Sequence, residues 1–320
     1  MEEEHAHFDR LPPEARSVQE VFLLQRSVST ARRNPGQGPA YKPYLFLLPM
    51  VIFAVGFIYY PFVKTILDSF SVVNFKGEIT GFAGLENYRY MISRREFAIA
   101  VQNTLKLMLI NVPVTVVLTC CFAWFTARPR ILNSISETLF SISMAVSMST
   151  VTLIFKVMLN PTVGIVNYLL GIDCGWYTDR HTAMSGILLL TIWMGIGFNY
   201  LLFLSAFRSI PADILHSATL DGAGRWSCFF RIQLPLVSPT MLYVLCTNMI
   251  QAMMTSGPVL ILTQGGPSRS TTTLIYLMYT SGYRSSNYSL AACVSIFTFV
   301  LTLGFTVLTL VADAKKVEYT

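Results

Sequence analysis

The stretch His216–Pro239 reads HSATLDGAGRWSCFFRIQLPLVSP, and it is the longest polar interruption in the second half of an otherwise apolar chain. It places glycines at Gly222 and Gly224 and prolines at Pro235 and Pro239. Glycine permits left-handed backbone and proline fixes φ, so these residues specify a backbone path rather than a flexible spacer. We infer that a partner docks on this stretch.

The local pattern predicts two short helices in this region. Pro211 and Asp213 suit the start of the first helix, because proline is tolerated in the first turn and an acid complements the helix N-terminus. Asp221-Gly222 is expected to end it with a left-handed glycine cap. A second helix, residues 226–233, is expected to stop at Leu234-Pro235.

The composition is that of a membrane protein. The chain has 320 residues, of which 53% are hydrophobic and only 12% are charged, whereas soluble domains carry about 25% charged residues. The six cysteines show no metal-ligand spacing and lie mostly in apolar segments. They are interpreted as small buried hydrophobic residues.

The uncharged intervals predict an all-α polytopic fold with six transmembrane helices, because a helix needs about 20 apolar residues to cross the hydrocarbon core. The predicted spans lie near 44–68, 98–126, 137–158, 183–206, 240–263 and 289–312. They form a membrane domain over 43–312, with a loop at 207–239 between the fourth and fifth spans. Residues 1–42 and 313–320 are the two tails.

The distribution of Lys and Arg predicts the orientation. Arg128 and Arg130 occupy a short turn, and Lys315-Lys316 directly follow the last span. Because cytoplasmic loops are enriched in these residues, both termini and the 207–239 loop are expected in the cytoplasm.

Several kinds of chemistry are absent from the sequence. There is no Gly-x-x-x-x-Gly-Lys-[Ser/Thr] phosphate loop, no Gly-x-Ser-x-Gly elbow and no His-Glu-x-x-His arrangement. Mid-membrane charges, which ion-coupled carriers usually need, are also missing. We therefore expect no enzymatic activity, cofactor or metal on this chain, and energy from another subunit.

The polarity that remains inside the spans is neutral. The candidates for lining a substrate path are Asn248, Gln251 and Thr255 in the fifth span and Gly195, Phe198 and Asn199 in the fourth. Amides and hydroxyls beside aromatic rings suit a polyhydroxylated ligand. Helix–helix packing explains the same residues equally well, and the sequence leaves the two interpretations open.

The loop resembles the EAA loop of binding-protein-dependent ABC importer permeases, on Ala218-x-x-Asp221-Gly222-Ala223 followed by Leu234-Pro235 and Pro239. In that family the loop forms the coupling helix that inserts into a cleft of the ATPase subunit. The resemblance implies these ATPase-coupling residues: Asp213, His216, Ala218, Asp221, Gly222, Ala223, Leu234 and Pro235.

Two positions depart from the family pattern. His216 stands where the family has a glutamate, and Ser217 stands where it has an alanine. A negative charge at this contact would have to come from Asp213, one turn earlier. The departure favours a heterodimer in which the partner permease carries the more standard loop.

Other stretches resemble the carbohydrate-uptake branch of this family, which includes sugar and glycerol-phosphate importers. They are Thr263–Tyr279 with its Gly-Gly-Pro, Gly84–Tyr88 with Asn103-Thr104, and Leu47–Pro49 with Tyr60-Pro61. The resemblance covers about 43–312 and implies an ABC importer type I permease fold in a bacterial cytoplasmic membrane.

What the resemblance implies is import of a mono- or oligosaccharide delivered by an extracytoplasmic binding protein. The implied partners are a second homologous permease and an ATPase dimer, which would hold ATP and Mg²⁺. Glycerol phosphate or an alditol is the alternative cargo. A membrane enzyme or receptor is disfavoured by the docking loop and by the missing titratable clusters.

Overall fold

A computed structural model describes residues 42–127 and 131–314, and most of these are helical. The helices are α1 Lys42–Ala54, α2 Tyr60–Ser69, α3 Glu86–Ser93, α4 Arg95–Thr126, α5 Ile131–Ala145, α6 Met148–Met158, α7 Ile165–Leu170, α8 Ala183–Arg208, α9 Ala212–Leu220, α10 Arg225–Cys228, α11 Leu234–Met253, α12 Leu274–Tyr279 and α13 Tyr288–Ala314. Single π-helical turns occur at Val55–Tyr59, Phe229–Gln233, Val259–Thr263 and Thr280–Arg284.

Within the described ranges, five helices are long and apolar enough to cross a membrane. They are Tyr44–Ser69, Arg95–Thr126, Ala183–Arg208, Arg225–Met253 and Tyr288–Val311. A bent pair, Ile135–Ala145 and Met148–Met158, supplies a sixth candidate. The predicted all-α membrane fold is confirmed. Of the predicted tails at 1–42 and 313–320, residues 1–41 and 315–320 lie outside the described residues.

The chain divides after Phe62 into two compact units. The described part of the first unit is α1, the π-turn after it and the start of α2, and the rings of Phe53 and Phe57 stack within it at 5.9 Å. The second unit, from Val63 onward, contains the loop and the remaining spans.

A π-turn before Pro235 corrects one prediction. The helix expected to stop at Leu234-Pro235 instead continues, so that Arg225–Met253 is one span. The Leu234 amide bonds to the Phe229 carbonyl, five residues back rather than four. This wider turn accommodates a proline ring that would otherwise crowd the preceding helical turn. The same arrangement precedes Pro61 in the first unit.

The core of the second unit lies between α4, α8 and α11. Its fully buried side chains include Leu107, Ile187, Tyr200, Phe203 and Val244. On α4 the buried positions recur every three or four residues, which places them on one helical face. The core therefore joins the second, fourth and fifth spans.

The third predicted span is broken rather than straight. α5 and α6 meet at 103°. Ser147 is in an extended conformation between them, and its hydroxyl accepts a hydrogen bond from the Thr150 amide. A serine cap of this kind starts a new helix, because it satisfies an amide that has no partner within the helix. The prediction of one helix over 137–158 missed this start signal.

The fifth span begins and ends earlier than the predicted 240–263. It runs over Arg225–Met253, and the chain leaves the helix at Met254 and is non-helical over 254–256 before a new helical turn begins at Gly257. Residues 259–263 then form a separate π-turn.

A short β-hairpin lies between the first and second spans, and we call this end of the bundle the hairpin end. β1 Ser71–Val73 and β2 Ile79–Phe82 pair antiparallel, an addition to the predicted all-helical fold. β1 is fixed to α13, because Ser289 Oγ accepts a hydrogen bond from the Val73 amide and donates one to the Ser71 carbonyl. The opposite end, at 209–224, is called the loop end.

Candidate functional site

At the loop end, the predicted helix and its glycine cap are both present. α9 follows Pro211 at its N-terminal cap and ends at Leu220. Gly222 has φ +79°, and the Ala223 amide donates to the Ala218 carbonyl at 2.9 Å. A Cβ at Gly222 would meet nothing within 4 Å, so conformation alone requires the glycine here.

The predicted coupling residues divide between two sides of α9. Asp213, His216 and Asp221 are exposed, and Leu220 at the tip is 89% exposed. Ala218 is buried on the side that faces the bundle. The helix thus offers a free face that combines acidic, imidazole and apolar groups.

Leu234 and Pro235, also predicted as coupling residues, are not part of this exposed face. Leu234 is partly buried against the bundle core, and Pro235 lies inside the fifth span. Their place in the structure is the base of the loop, where the π-turn joins it to the membrane helix.

An aromatic cluster that the sequence analysis did not single out fixes the loop to the bundle. The indole nitrogen of Trp124, near the end of α4, donates to Gln233 Oε1 at 2.7 Å. The Arg225 guanidinium lies 4.6 Å from the Trp124 ring centroid, and the Phe229 ring lies 4.5 Å from it. We call Trp124, Arg225, Phe229 and Gln233 the anchor. Two signals in the sequence could have indicated the anchor: a tryptophan near the end of a span, and an arginine where the loop joins the fifth span.

Arg208 at the end of α8 makes a second set of contacts at the loop end. It forms an ion pair with Glu137 of α5, and its Nε donates to the Ala127 carbonyl at 3.3 Å. A cation at the ends of α4 and α8 also complements their helix dipoles. Both partners are partly exposed, so the pair positions α5 more than it stabilises the fold.

A cavity of about 720 Å³ lies beneath α9. Its lining includes Leu215 and Thr219 from α9, Trp124 and Arg225 from the anchor, and Phe207 from α8. Residues from α9, α8 and the anchor therefore share the lining of one cavity.

The candidate path residues also divide into two groups, of which the first is a buried amide pair. Asn199 Nδ2 donates to Asn248 Oδ1 at 2.9 Å, and Asn248 Nδ2 donates to Asn199 Oδ1 at 3.0 Å. Both residues are buried. Gly195 belongs to the same contact, since a Cβ there would lie 3.0 Å from Thr115 Cγ2. These groups hold α4, α8 and α11 together.

The second group is accessible from outside the bundle. Gln251 is exposed on α11, and Phe198 is 40% exposed on α8. Thr255 is buried, with its hydroxyl on the Gln251 carbonyl at 2.9 Å. Of the six predicted path residues, Gln251 and Phe198 are thus the ones that present their side chains outward.

At the hairpin end, two family-like stretches meet. Asn103 Nδ2 donates to the carbonyls of Arg269 and Thr272, and Thr104 Oγ1 accepts the Leu274 amide at 2.9 Å. Glu96 forms an ion pair with Arg269. The start of α4 therefore holds the Gly-Gly-Pro loop in place.

Tyr88 of α3 is part of the same end. Burial raises the pKa of its phenol, and the hydrogen bond to Ser69 acts in the opposite direction. The phenol stays protonated and donates to Ser69 Oγ at 2.8 Å. Over 42–127 and 131–314, no cluster of three or more His, Cys, Asp or Glu residues could hold a metal ion.

Comparison with known proteins agrees with this architecture. The chain is 28% identical over 286 residues to the sn-glycerol-3-phosphate transport system permease protein UgpA of Pectobacterium atrosepticum, covering 88% of this chain and 96% of that protein. It is 29% identical over 283 residues to UgpA of Salmonella choleraesuis, covering 87% and 95%.

Two solved structures share the fold. One is a bacterial alginate ABC transporter in complex with alginate pentasaccharide-bound periplasmic protein, with TM-score 0.74, 23% identity and coverage of 84% of this chain and 92% of that one. The other is a bacterial ABC transporter involved in the import of the acidic polysaccharide alginate, with TM-score 0.75, 22% identity and coverage of 86% and 96%.

Residues 119–316, which include the loop and its anchor, match the family described as binding-protein-dependent transport system inner membrane component. That match spans more than half of the chain. The chain therefore belongs to this family of multi-pass membrane transport components.

Proposed function

We propose that the chain is the permease subunit of an ABC importer that translocates a sugar. An extracytoplasmic binding protein delivers the sugar, and a separate ATPase subunit supplies the energy. The observation that carries this proposal is α9, an exposed, glycine-capped helix, together with the anchor that attaches the following part of the loop to the membrane bundle.

The exposed face of α9 is the surface proposed for the ATPase. The apolar tip at Leu220 suits an apolar cleft, and Asp213 suits a basic rim. In this proposal a displacement of α9 passes through the Gly222 turn to the start of the fifth span at Arg225, and the Trp124–Gln233 bond carries it to the second span. The anchor thus converts movement of the ATPase into movement of the membrane helices.

The missing motif acid makes the two halves of the importer unequal. His216 cannot place a carboxylate where the family has one. Asp213 lies one turn earlier on the exposed face of the same helix and can supply the charge. We propose that a second homologous permease carries the more standard loop, and that ATP and Mg²⁺ are bound by the ATPase dimer rather than by this chain.

We propose that Gln251 and Phe198 line the substrate path. An amide bonds to sugar hydroxyls, and an aromatic ring packs on the apolar face of a sugar. Asn199 and Asn248 are assigned to the framework behind the path, because both are buried and each donates to and accepts from the other. In the proposed orientation the loop end and both termini are cytoplasmic, and the hairpin end faces the binding protein.

A second candidate cargo is glycerol phosphate, or an alditol of similar size. The named function of the curated relatives favours it. A phosphate would need cationic groups, and α11 contains no Lys, Arg or His. The second permease would have to supply them.

Cargo is tested in proteoliposomes that contain this chain, the second permease, the ATPase and the cognate binding protein. Uptake of labelled maltotriose, glycerol 3-phosphate and mannitol is compared at equal binding-protein occupancy. Preferred uptake of maltotriose supports the sugar assignment. ATP-dependent uptake of glycerol 3-phosphate or mannitol alone would replace it, and uptake that is independent of ATP would refute the importer assignment.

A further inference from the structure

Two irregular segments of the second unit lie against each other near the hairpin end. One is α6, the half of the third span that follows the 103° bend. The other is the π-turn Val259–Thr263, which follows the fifth span. Neither belongs to the straight helices of the bundle. The C-terminal end of α6 contacts the π-turn, and its N-terminal end contacts Gly257, two residues before the π-turn.

The contact begins at Met148 and Gly257. A Cβ at Gly257 would lie 2.5 Å from the Met148 sulfur, so the absence of a side chain at Gly257 lets the Met148 side chain pack against its backbone. At the other end of α6, Lys156 Nζ donates to the Ile261 carbonyl at 3.2 Å. Met148 and Lys156 are eight residues apart, hence on one face of the helix.

The residues between these two points are buried on the same face. Val151 and Thr152 are 2% and 0% exposed, and one turn later Phe155 packs against Trp193 of α8 with ring centroids 5.7 Å apart. The opposite face of α6, at Leu153 and Val157, is exposed. α6 is therefore attached along one side only.

Lysine at position 156 has a specific physical role. The last carbonyls of a helical segment have no amide partner within it, and a lysine ammonium is a suitable donor to them. The π-turn ends at Gln264, whose φ of +52° turns the chain away. The carbonyl that Lys156 binds belongs to this last turn.

We propose that Lys156 locks α6 to the π-turn 259–263, and that the two segments move as one gate element during transport. The π-turn begins six residues after α11 ends at Met253, close in sequence to Gln251, and we place the element at the hairpin end of the proposed path. Lys156 acts here as a positioning residue and makes no contact with cargo. The direction of gating rests on the proposed importer function; the shared movement does not.

Shared movement is tested by cross-linking in the complete importer. Met148→Cys and Gly257→Cys are introduced into a variant whose six native cysteines are replaced by alanine. The control pair combines Gly257→Cys with Leu153→Cys, which lies on the exposed face of α6. We expect the first pair to cross-link both without nucleotide and in the vanadate-trapped state, while the control pair does not.

Transport by the oxidised protein gives the decisive result. If the segments move together, the cross-linked importer retains at least about half of the uptake of the reduced sample. Loss of uptake that reduction restores, or cross-linking in one nucleotide state only, would overturn the proposal. The cross-linking readout needs no cargo, so it is independent of which substrate the importer carries.

The role of Lys156 is tested in the same background. Lys156→Met keeps an apolar side chain but removes the hydrogen-bond donor. We expect the rate of cross-linking between Met148→Cys and Gly257→Cys to fall about tenfold, as for loss of a charged hydrogen bond. Lys156→Arg should restore the rate, and Lys106→Met, at an exposed position of α4, is the matched control. If Lys156→Met does not assemble, Lys156→Ala is measured. An unchanged rate in whichever variant assembles would contradict the lock.

Discussion

Replacement of Gly222 by valine tests the coupling assignment most directly. The residue has φ +79° and open space where a Cβ would project, so the cost is conformational rather than steric contact with a neighbour. A left-handed backbone costs an ordinary L-residue about 1–2 kcal/mol, and a β-branched residue lies at or above the upper value. This corresponds to about a 5- to 30-fold loss in the fraction of molecules with the native turn.

The assay is ATP-dependent uptake in proteoliposomes, with co-purification of the ATPase measured in parallel. Gly224→Val is the matched control, because Gly224 has an extended backbone that any residue adopts and equally open surroundings. We expect uptake to fall by about the factor above for Gly222→Val and to stay near the original value for Gly224→Val. Gly222→Asn should fall between them, since asparagine tolerates the left-handed region better than valine.

Two outcomes would refute this reasoning. Full uptake with Gly222→Val would show that the turn does not couple the ATPase to the membrane helices. Equal losses at Gly222 and Gly224 would show that bulk in the loop, rather than backbone conformation, causes the defect.

Two further predictions concern the bundle. Asn248→Ala leaves the buried Asn199 amide unpaired and should lower the free energy of unfolding by about 1–3 kcal/mol, which is measured as a lower melting temperature of the purified complex. Gln251→Ala should lower uptake and leave the melting temperature unchanged. The opposite pattern would exchange the roles of the two residues. Gly265→Ala should destabilise the protein strongly, because φ is +78° and the new Cβ would lie 2.5 Å from the Tyr276 ring. Gly77→Ala is the control: φ is +84° in open space, so the substitution costs only the free energy of placing alanine in a left-handed backbone. Equal melting temperatures for the two variants would contradict this difference.

Local signals were sufficient where the chain itself sets the structure. The helix after Pro211 and the left-handed glycine after Asp221 follow from residue types alone, and both are present. Pro235 misled the same reasoning, because the five-residue hydrogen bond that accommodates it depends on how the helix packs. The cap at Ser147 was visible in the sequence, but serine is also common inside membrane helices, so it did not distinguish a break from a continuous span.

Tertiary partners could not be predicted from one sequence. Asn248 and Gln251 share a helical face by spacing, yet one is buried against Asn199 and the other is exposed. The anchor at Trp124 depends on the return of the chain more than 100 residues later, at Gln233. These pairings decide which polar residues serve the framework and which can serve the path.

The reciprocal Asn199–Asn248 pair has a consequence for how such proteins diverge. Removing one amide takes away the cross-helix donor and acceptor of the other buried amide, whereas exchanging both for apolar side chains of similar shape can be nearly neutral. The two positions are therefore expected to change together over evolutionary time, while Gln251 is free to vary with the cargo. A lineage can in this way acquire a new substrate without first rebuilding the membrane bundle.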